Sequence, residues 1–336
     1  MKIFKNKTVR ALCALLACTS LAFGMAACSN SSGGDPQVVY VYGGASQNET
    51  AASGAYKKTG TQTINGVDYD IVTFGLWPQT KKTESVTVNE GETKTAGEFT
   101  YYKGIDGYWY AKLSDKYYKV EPIKWRVLTT DYNGTGKKLL LAENSLIAKP
   151  YDAGNKNNYQ NSKIRKWLNS NSNYAAASDH GGSGGFLKTA FTAAEQSAIA
   201  AASVDNSARS SNPDANATIW NSGANPYASA TPTIDKVFLL SEQEATTSAY
   251  GFDVYNAYKG DGTHNESTRI RVPTDYAKAS GASQSLTAGM GGGWFLRSPY
   301  YGHDQSARSV RCDGDASYLY LVPDIGVGVV PALCVE

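Results

Sequence analysis

Between residues 85 and 127 the chain is broken into short runs of β-branched and aromatic residues, and this spacing is what most constrains its fold. The runs 86–88, 99–103, 108–113 and 117–120 are separated by turns containing Gly or Asp, the pattern of antiparallel hairpins. Residues 123–128 alternate apolar and polar side chains, as a half-buried strand does. Residues 138–142 are more apolar, which predicts a central strand. Upstream, 67–74 reads as a strand, followed by a turn at 74–79 (Phe-Gly-Leu-Trp-Pro-Gln) marked by Gly and Pro. Residues 38–42 read as another short strand. The stretch 43–63 is polar and loose, so order is expected to begin near Gly66.

Helical signals are few and short. Ile164, Trp167 and Leu168 place one apolar face on a helix over 162–169. Thr192 and Glu195 form a capping box that starts a helix with Ile199 on its buried face, and Ser241 with Glu244 repeats the box after a strand at 236–240. Pro273 is expected at a first helical position, with Gly281 past the end of that helix. The Ala/Ser/Asn/Gly-rich stretches 170–185, 203–233 and 259–267 read as surface insertions. Strands interleaved with a few short helices predict one α+β domain.

The N-terminal residues set the compartment. Lys2, Lys5, Lys7 and Arg10 surround or precede an uncharged apolar run, 11–25, too short to span a bilayer comfortably. That is the layout of a secretory signal, 1–27. It ends in Met25-Ala26-Ala27-Cys28, which resembles the bacterial lipobox with Met25 where Leu is usual. The resemblance implies cleavage before Cys28 and lipid on that cysteine, a standing tether when several chains are attached. Residues 28–65, Gly/Ser-rich at 29–36, then form a flexible leash, leaving 66–336 as the domain. The expected location is a membrane-anchored lipoprotein at the outer membrane or cell surface. An ordinary signal peptide with a coincidental cysteine is the alternative.

Net charge is near zero, with Lys and Arg scattered, which argues against nucleic acid as a partner. Three histidines, His180, His264 and His303, argue against a clustered-histidine zinc site, and neither a metal nor a cofactor is expected. Once Cys13 and Cys18 leave with the signal and Cys28 is lipidated, Cys312 and Cys334 remain, either as one disulfide or as two thiols.

Six segments in order carry a family resemblance. They match F-G-x-Y/W-P-Q at 74–79, P-I-x-W-x-V-L at 122–128, R-x-W-L-N at 165–169, F-L-L-S-x-x-E near 238–242, W-x-L-R-S-P at 294–299 and G-V-x-P-A-L at 328–333. Val330 stands where Arg is usual. Over residues 70–335 the chain resembles a lipoprotein domain of spirochaetes and gut Firmicutes, related to the C-type lectin fold in the branch of formylglycine-generating enzymes. The same fold carries the variable proteins of diversity-generating retroelements, including Treponema variable lipoproteins of similar layout. The resemblance implies a C-type-lectin-like domain with a variable C-terminal segment, 296–335. It also implies Trp294, Leu296 and Leu333 in the core and Arg297 orienting the tail.

The tail is distinctive in its own composition. Tyr300, Tyr301, His303, Asp304, Ser306, Arg308, Ser309, Arg311, Asp313, Asp315, Ser317, Tyr318 and Tyr320 dominate it, without Lys, Met or Trp between 300 and 335. Adenine-specific mutagenesis of an AAC-type codon reaches Tyr, His, Asp, Ser and Arg but not Lys, Glu, Met, Trp or Gln, so Gln305 is assigned to the fixed template. Tyr offers a stiff contact surface with a polar tip, and Ser and Asp offer adaptable hydrogen bonds. These thirteen are the candidate ligand-binding residues, for a protein or glycan on a host, phage or neighbouring cell. Ala307, Val310, Gly314, Leu321 and Gly326 are expected to pack inward. The alternatives are a structural or adhesive envelope lipoprotein with an ordinary tail, or an enzyme of the formylglycine-generating type.

The enzyme reading is the weaker, because Cys312 and Cys334 are too far apart in sequence for the paired cysteines of that branch. Catalytic Ser, zinc and phosphate motifs are absent. Residues 289–293 are Gly-rich, consistent with a tight turn. Glu242 and Glu244 pair as a glycosidase would need, but Glu244 fits the capping box better. Asp261, Asn265 and Glu266 suit calcium less well than a solvated loop.

Overall fold

An Asn-Gly pair opens the fold. In the computed structural model, which describes residues 56–170, 184–211, 225–253 and 266–336, Asn65 (φ 50°) and Gly66 (φ 79°) join β1 (Lys57–Ile64) to antiparallel β2 (Val67–Lys81). Positive φ at both turn residues suits the twist of a tight hairpin, which is why Asn-Gly is favoured there. Order therefore begins by Lys57 and not near Gly66, and the expected leash over 28–65 loses its last residues to β1, where Gln62 and Ile64 are buried. The signal, Cys28, the expected strand at 38–42, most of the stretches 170–185 and 259–267, residues 212–224, His180, His264, Asp261 and Asn265 lie outside the described residues; the rest of the expected insertion at 203–233 is not simply surface, since Val204, Asn206 and Thr233 are buried. The described residues belong to one unit, Val38–Glu336.

Strands set the architecture. β3 (Val88–Ala96), β4 (Phe99–Gly104), β5 (Trp109–Leu113) and β6 (Lys116–Thr129) form consecutive antiparallel hairpins. β6 fuses the two expected runs at 117–120 and 123–128 into one strand through Pro122. It carries β2 along one edge; on the other lie β5 at its start and β7 (Lys138–Ala142) at its end. The expected turn at 74–79 is instead part of β2, whose register slips between Thr73 and Leu76 and again between Pro78 and Thr80. Gly and Pro here mark bulges, as they do inside paired strands. The second half of β6 is buried on both faces rather than half-buried. Trp125 packs toward Phe191, and the Arg126 guanidinium lies 5.3 Å from the Phe252 ring.

β8 (Asn144–Ser145) and β9 (Ile147–Ala148) lead out of the main sheet. α1 (Lys163–Asn169), capped by Ser162, buries Ile164, Trp167 and Leu168 as its spacing predicts. After α2 (Phe186–Ala190), both halves of the expected capping box hold α3 (Ala193–Ala198). Ile199, expected on that helix, instead begins β10 (Ile199–Ala200) and pairs with Val335. β11 (Ala202–Val204) pairs with β12 (Thr233–Asp235), and β13 (Val237–Phe238) precedes α4 (Glu242–Ala245), which also has its capping box. Pro273 lies in β14 (Val272–Pro273), not in a helix; Thr274 caps α5 (Asp275–Ala279).

The last five strands are β15 (Trp294–Pro299), β16 (Ser306–Val310), β17 (Tyr318–Leu321), β18 (Gly328–Val329) and β19 (Ala332–Val335). A second sheet runs β17-β16-β15-β18-β9, and β19 returns to the main sheet between β7 on one side and β10 and β13 on the other. The molecule is a sheet-rich α+β fold. Trp77, Trp125 and Trp294 are fully buried, and each indole N–H donates to a backbone carbonyl: Leu146 (3.0 Å), Phe74 (2.8 Å) and Arg269 (3.2 Å). Buried indoles need such partners. Leu296 and Leu333 are core residues, as expected.

Candidate functional site

The tail is a three-strand meander, β15 antiparallel to β16 and β16 antiparallel to β17. Phe295, Ser309 and Tyr318 lie in one cross-strand row, and Tyr320 opposes Ala307 two positions along the same face. Arg308 opposes Leu319 and so points to the other face. Tyr320 covers Gly293, where any side chain would collide with its ring, and meets Phe295 edge-on at 6.4 Å. Close approach, not a turn, thus explains Gly293; a turn (φ 81°) explains only Gly289 in that run.

Two aromatic groups emerge. Tyr318 is exposed, lies 5.0 Å from Tyr320, and has the Arg311 guanidinium 5.6 Å from its ring centre. Arg311 is in turn paired with Asp313 (Nε to Oδ1, 2.9 Å). In the β15–β16 turn, Tyr300 packs on Tyr301 (4.9 Å) and His303 (5.1 Å), with Asp304 paired to Lys156. Asn157 fixes this turn: its Nδ2 lies 3.0, 3.0 and 2.8 Å from the carbonyl oxygens of Tyr300, His303 and Ser306. No sequence signal singled out Asn157, because it acts across 143 residues of chain or more.

Of the thirteen candidate residues, Tyr300, Tyr301, His303, Asp304, Arg311, Asp313, Ser317, Tyr318 and Tyr320 are exposed or half-buried. Ser306, Arg308, Ser309 and Asp315 face inward, a correction to the surface reading. All five residues of β16 are buried, because the strand is flanked on both edges and its charged side chain has a buried partner. Arg308 Nε lies 3.0 Å from Glu242 of α4, and its Nη1 donates to the Ser317 carbonyl at 2.8 Å. Burial pushes the Glu242 carboxyl up to about 7 despite Arg308, and Asp315 adds to the shift. Ala307, Val310 and Gly314 pack inward as expected, whereas Leu321 is exposed and Gly326 half-buried.

A second buried pair sits under β15. The Arg297 guanidinium clasps Glu244 and donates to the carbonyls of Leu239 (2.9 Å) and Asp205 (3.0 Å). Tyr132 Oη and the Ser241 N–H donate to the same carboxylate at 2.7 and 2.8 Å. Burial alone would raise Glu244, but Arg297 and these donors hold it below the usual carboxylate range. Arg297 therefore ties the base of the tail to the α4 cap. Cys312 and Cys334 are separate thiols, which excludes the disulfide alternative here; burial pushes Cys334 up to about 12.

These features define a sheet-rich α+β domain whose C-terminal meander presents tyrosines over buried ion pairs. The model of the family described as Domain of unknown function (DUF6273) matches residues 135–336, more than half of the chain, and the chain belongs to that family. The match spans β7 to β19 and includes both buried pairs. No curated protein and no solved structure shows significant similarity to the chain.

Proposed function

We propose that this chain is an exported lipoprotein, lipidated on Cys28, that displays a C-type-lectin-like domain and binds a protein or glycan ligand through its C-terminal meander. It acts as a binder and not as an enzyme, at the outer membrane or cell surface. The observation that carries this reading is the contrast within the tail. Tyr300, Tyr301, His303, Tyr318 and Tyr320 are displayed, while Arg297–Glu244 and Arg308–Glu242 hold the strands beneath them. Rigid aromatic contacts on a fixed frame suit recognition of many partners, as in antibody loops.

Diversification by a retroelement is the further part of the proposal, narrowed to the displayed positions. Changes at Arg308 or Asp315 would strand Glu242 or unmake the loop, so those codons belong to the frame.

Reading the DNA beside the gene tests the origin of the tail. A near-copy of the segment encoding 296–335, differing at adenines and adjoining a reverse-transcriptase gene, is expected; its absence leaves the tail a fixed surface. Capture of cell-surface proteins and glycans by wild type, lost in Tyr318→Ala/Tyr320→Ala, tests binding itself. Capture unchanged by that variant would sink the site.

A further inference from the structure

The hairpins β3 to β5 precede the family-matched region and carry a feature the tail does not explain. On one face of this sheet, Lys94 of β3 opposes Tyr101, and Lys103 of β4 opposes Trp109 of β5. Both ammonium groups converge on the same indole: Lys94 Nζ lies 4.3 Å and Lys103 Nζ 4.8 Å from the Trp109 ring centre. Lys94 is exposed; Lys103 and Trp109 are half-buried.

Several other lysines of this molecule meet carboxylates, and others donate to backbone carbonyls, as Lys82 does to Val86 and Lys137 to Ala201. Lys112 reaches Glu90 at 3.0 Å, Lys58 reaches Asp70 at 2.6 Å, and Lys278 reaches Asp275 at 2.7 Å. Lys94 and Lys103 have no carboxylate and no hydrogen-bond acceptor among the described residues, and neither does the Trp109 N–H. Two like charges held together repel, and the Lys94 ammonium is pushed below its usual value by loss of water and then by Lys103. The indole face holds the two cations near each other, and no carboxylate among the described residues pairs with them. Two ammonium groups gathered on one ring without a carboxylate partner form the complement of an oxyanion.

We infer that Lys94 and Lys103, gathered on the Trp109 indole, form an anion-binding site for a phosphate group, carried free or on a lipid headgroup. Two ammoniums match a dianionic or bridging phosphate. Lysine binds phosphate as a compact point charge, so the interaction weakens as salt rises.

The test is a titration of the full chain with inorganic phosphate by calorimetry, beside sedimentation with phosphatidylglycerol vesicles and neutral phosphatidylcholine vesicles. The comparison variants are Lys94→Gln/Lys103→Gln and, as a control, Lys112→Gln, whose ammonium already has a partner. Saturable binding of phosphate, of phosphatidylglycerol vesicles or of both, weakened at least tenfold in the double variant and unchanged in the control, is the expected result. Binding of phosphate alone identifies a free anion as ligand, and binding of the anionic vesicles alone identifies a headgroup. Failure of wild type to bind any probe, or equal binding by the double variant, overturns the site. Lys94 is exposed and Lys103 half-buried, and neither ammonium has a hydrogen-bond acceptor among the described residues, so the variants retain the wild-type melting temperature, and a large drop would also count against the assignment.

Discussion

Replacing Arg297 with Met isolates the energetics of the tail's base. The substitution removes one side of a buried ion pair and leaves Glu244 with only Tyr132 Oη and the Ser241 N–H as donors. The carbonyls of Leu239 and Asp205 lose a donor as well. Stranding one member of a buried pair costs about 3–5 kcal/mol, whereas removing both members together costs far less. For a domain of this size each kcal/mol lowers the melting temperature by about 2–4 °C, so Arg297→Met is expected to melt about 6–20 °C below wild type. Arg297→Met/Glu244→Gln keeps the Tyr132 and Ser241 contacts without the orphaned charge and should recover at least half of the loss. The sign of the pH response follows. In wild type the Glu244 carboxyl lies below its ordinary value, so its contribution is present above the unfolded-state value and is lost as pH falls through the folded one. In Arg297→Met the buried carboxyl prefers its proton, so the deficit shrinks on acidification. Urea unfolding from pH 4 to 8, with the double-mutant cycle, measures all of this. A single-variant loss below about 1 kcal/mol, or a double variant as unstable as the sum of the singles, would refute the reasoning.

Three further outcomes are expected. Glu242, raised to about 7 in the fold, makes wild-type stability fall as pH rises from the ordinary carboxylate value toward 7. Glu242→Gln should flatten that slope in the urea midpoint, and an unchanged slope would relocate its source. Tyr318→Ser, at an exposed position, should shift stability by less than about 0.5 kcal/mol, whereas Tyr320→Ala uncovers Gly293 and Phe295 and should cost more; the reverse order in thermal melts would contradict the packing. Gly314→Ala should be among the most damaging single changes, because Gly314 has φ 93° and a Cβ there would overlap the Glu266 carbonyl. A folded, wild-type-like melt would show that this loop relaxes.

What the sequence revealed and what it hid divide along the range of the interactions. The capping boxes of Thr192 and Ser241 and the apolar face of Ile164, Trp167 and Leu168 are local, and their elements stand where expected. The hairpins of 99–113 likewise follow from adjacent turns. The turn at Asn65-Gly66 was equally local, yet the polar composition of 43–63 obscured β1, whose buried side chains are only Gln62 and Ile64. Ile199 reads as helical because the pairing that claims it comes from Val335, 136 residues later. The same distance effect misplaces Arg308. Its charge signals the surface until Glu242, far upstream, supplies a buried partner. Within the tail, the aromatic character of the exposed residues was legible, but the inward turn of Arg308 depended on its partner in α4.

The position of β19 also governs when the domain can close. The strand is an interior strand near one edge of the main sheet, bonded to β7, β10 and β13, yet it is encoded after every exposed residue of the meander. Synthesis must pass Val335 before that sheet can close, so folding of this domain is completed after the meander has been made and not as it emerges. A stop codon or frameshift arising anywhere in the meander deletes the strand that joins β7 to β10 and β13. Such a chain exposes the edges of β7 and β10 and becomes a substrate for proteolysis. Chain closure by β19 therefore works as a proofreading step: a meander altered by mutation sits beside a closed sheet only when the chain is read through in frame.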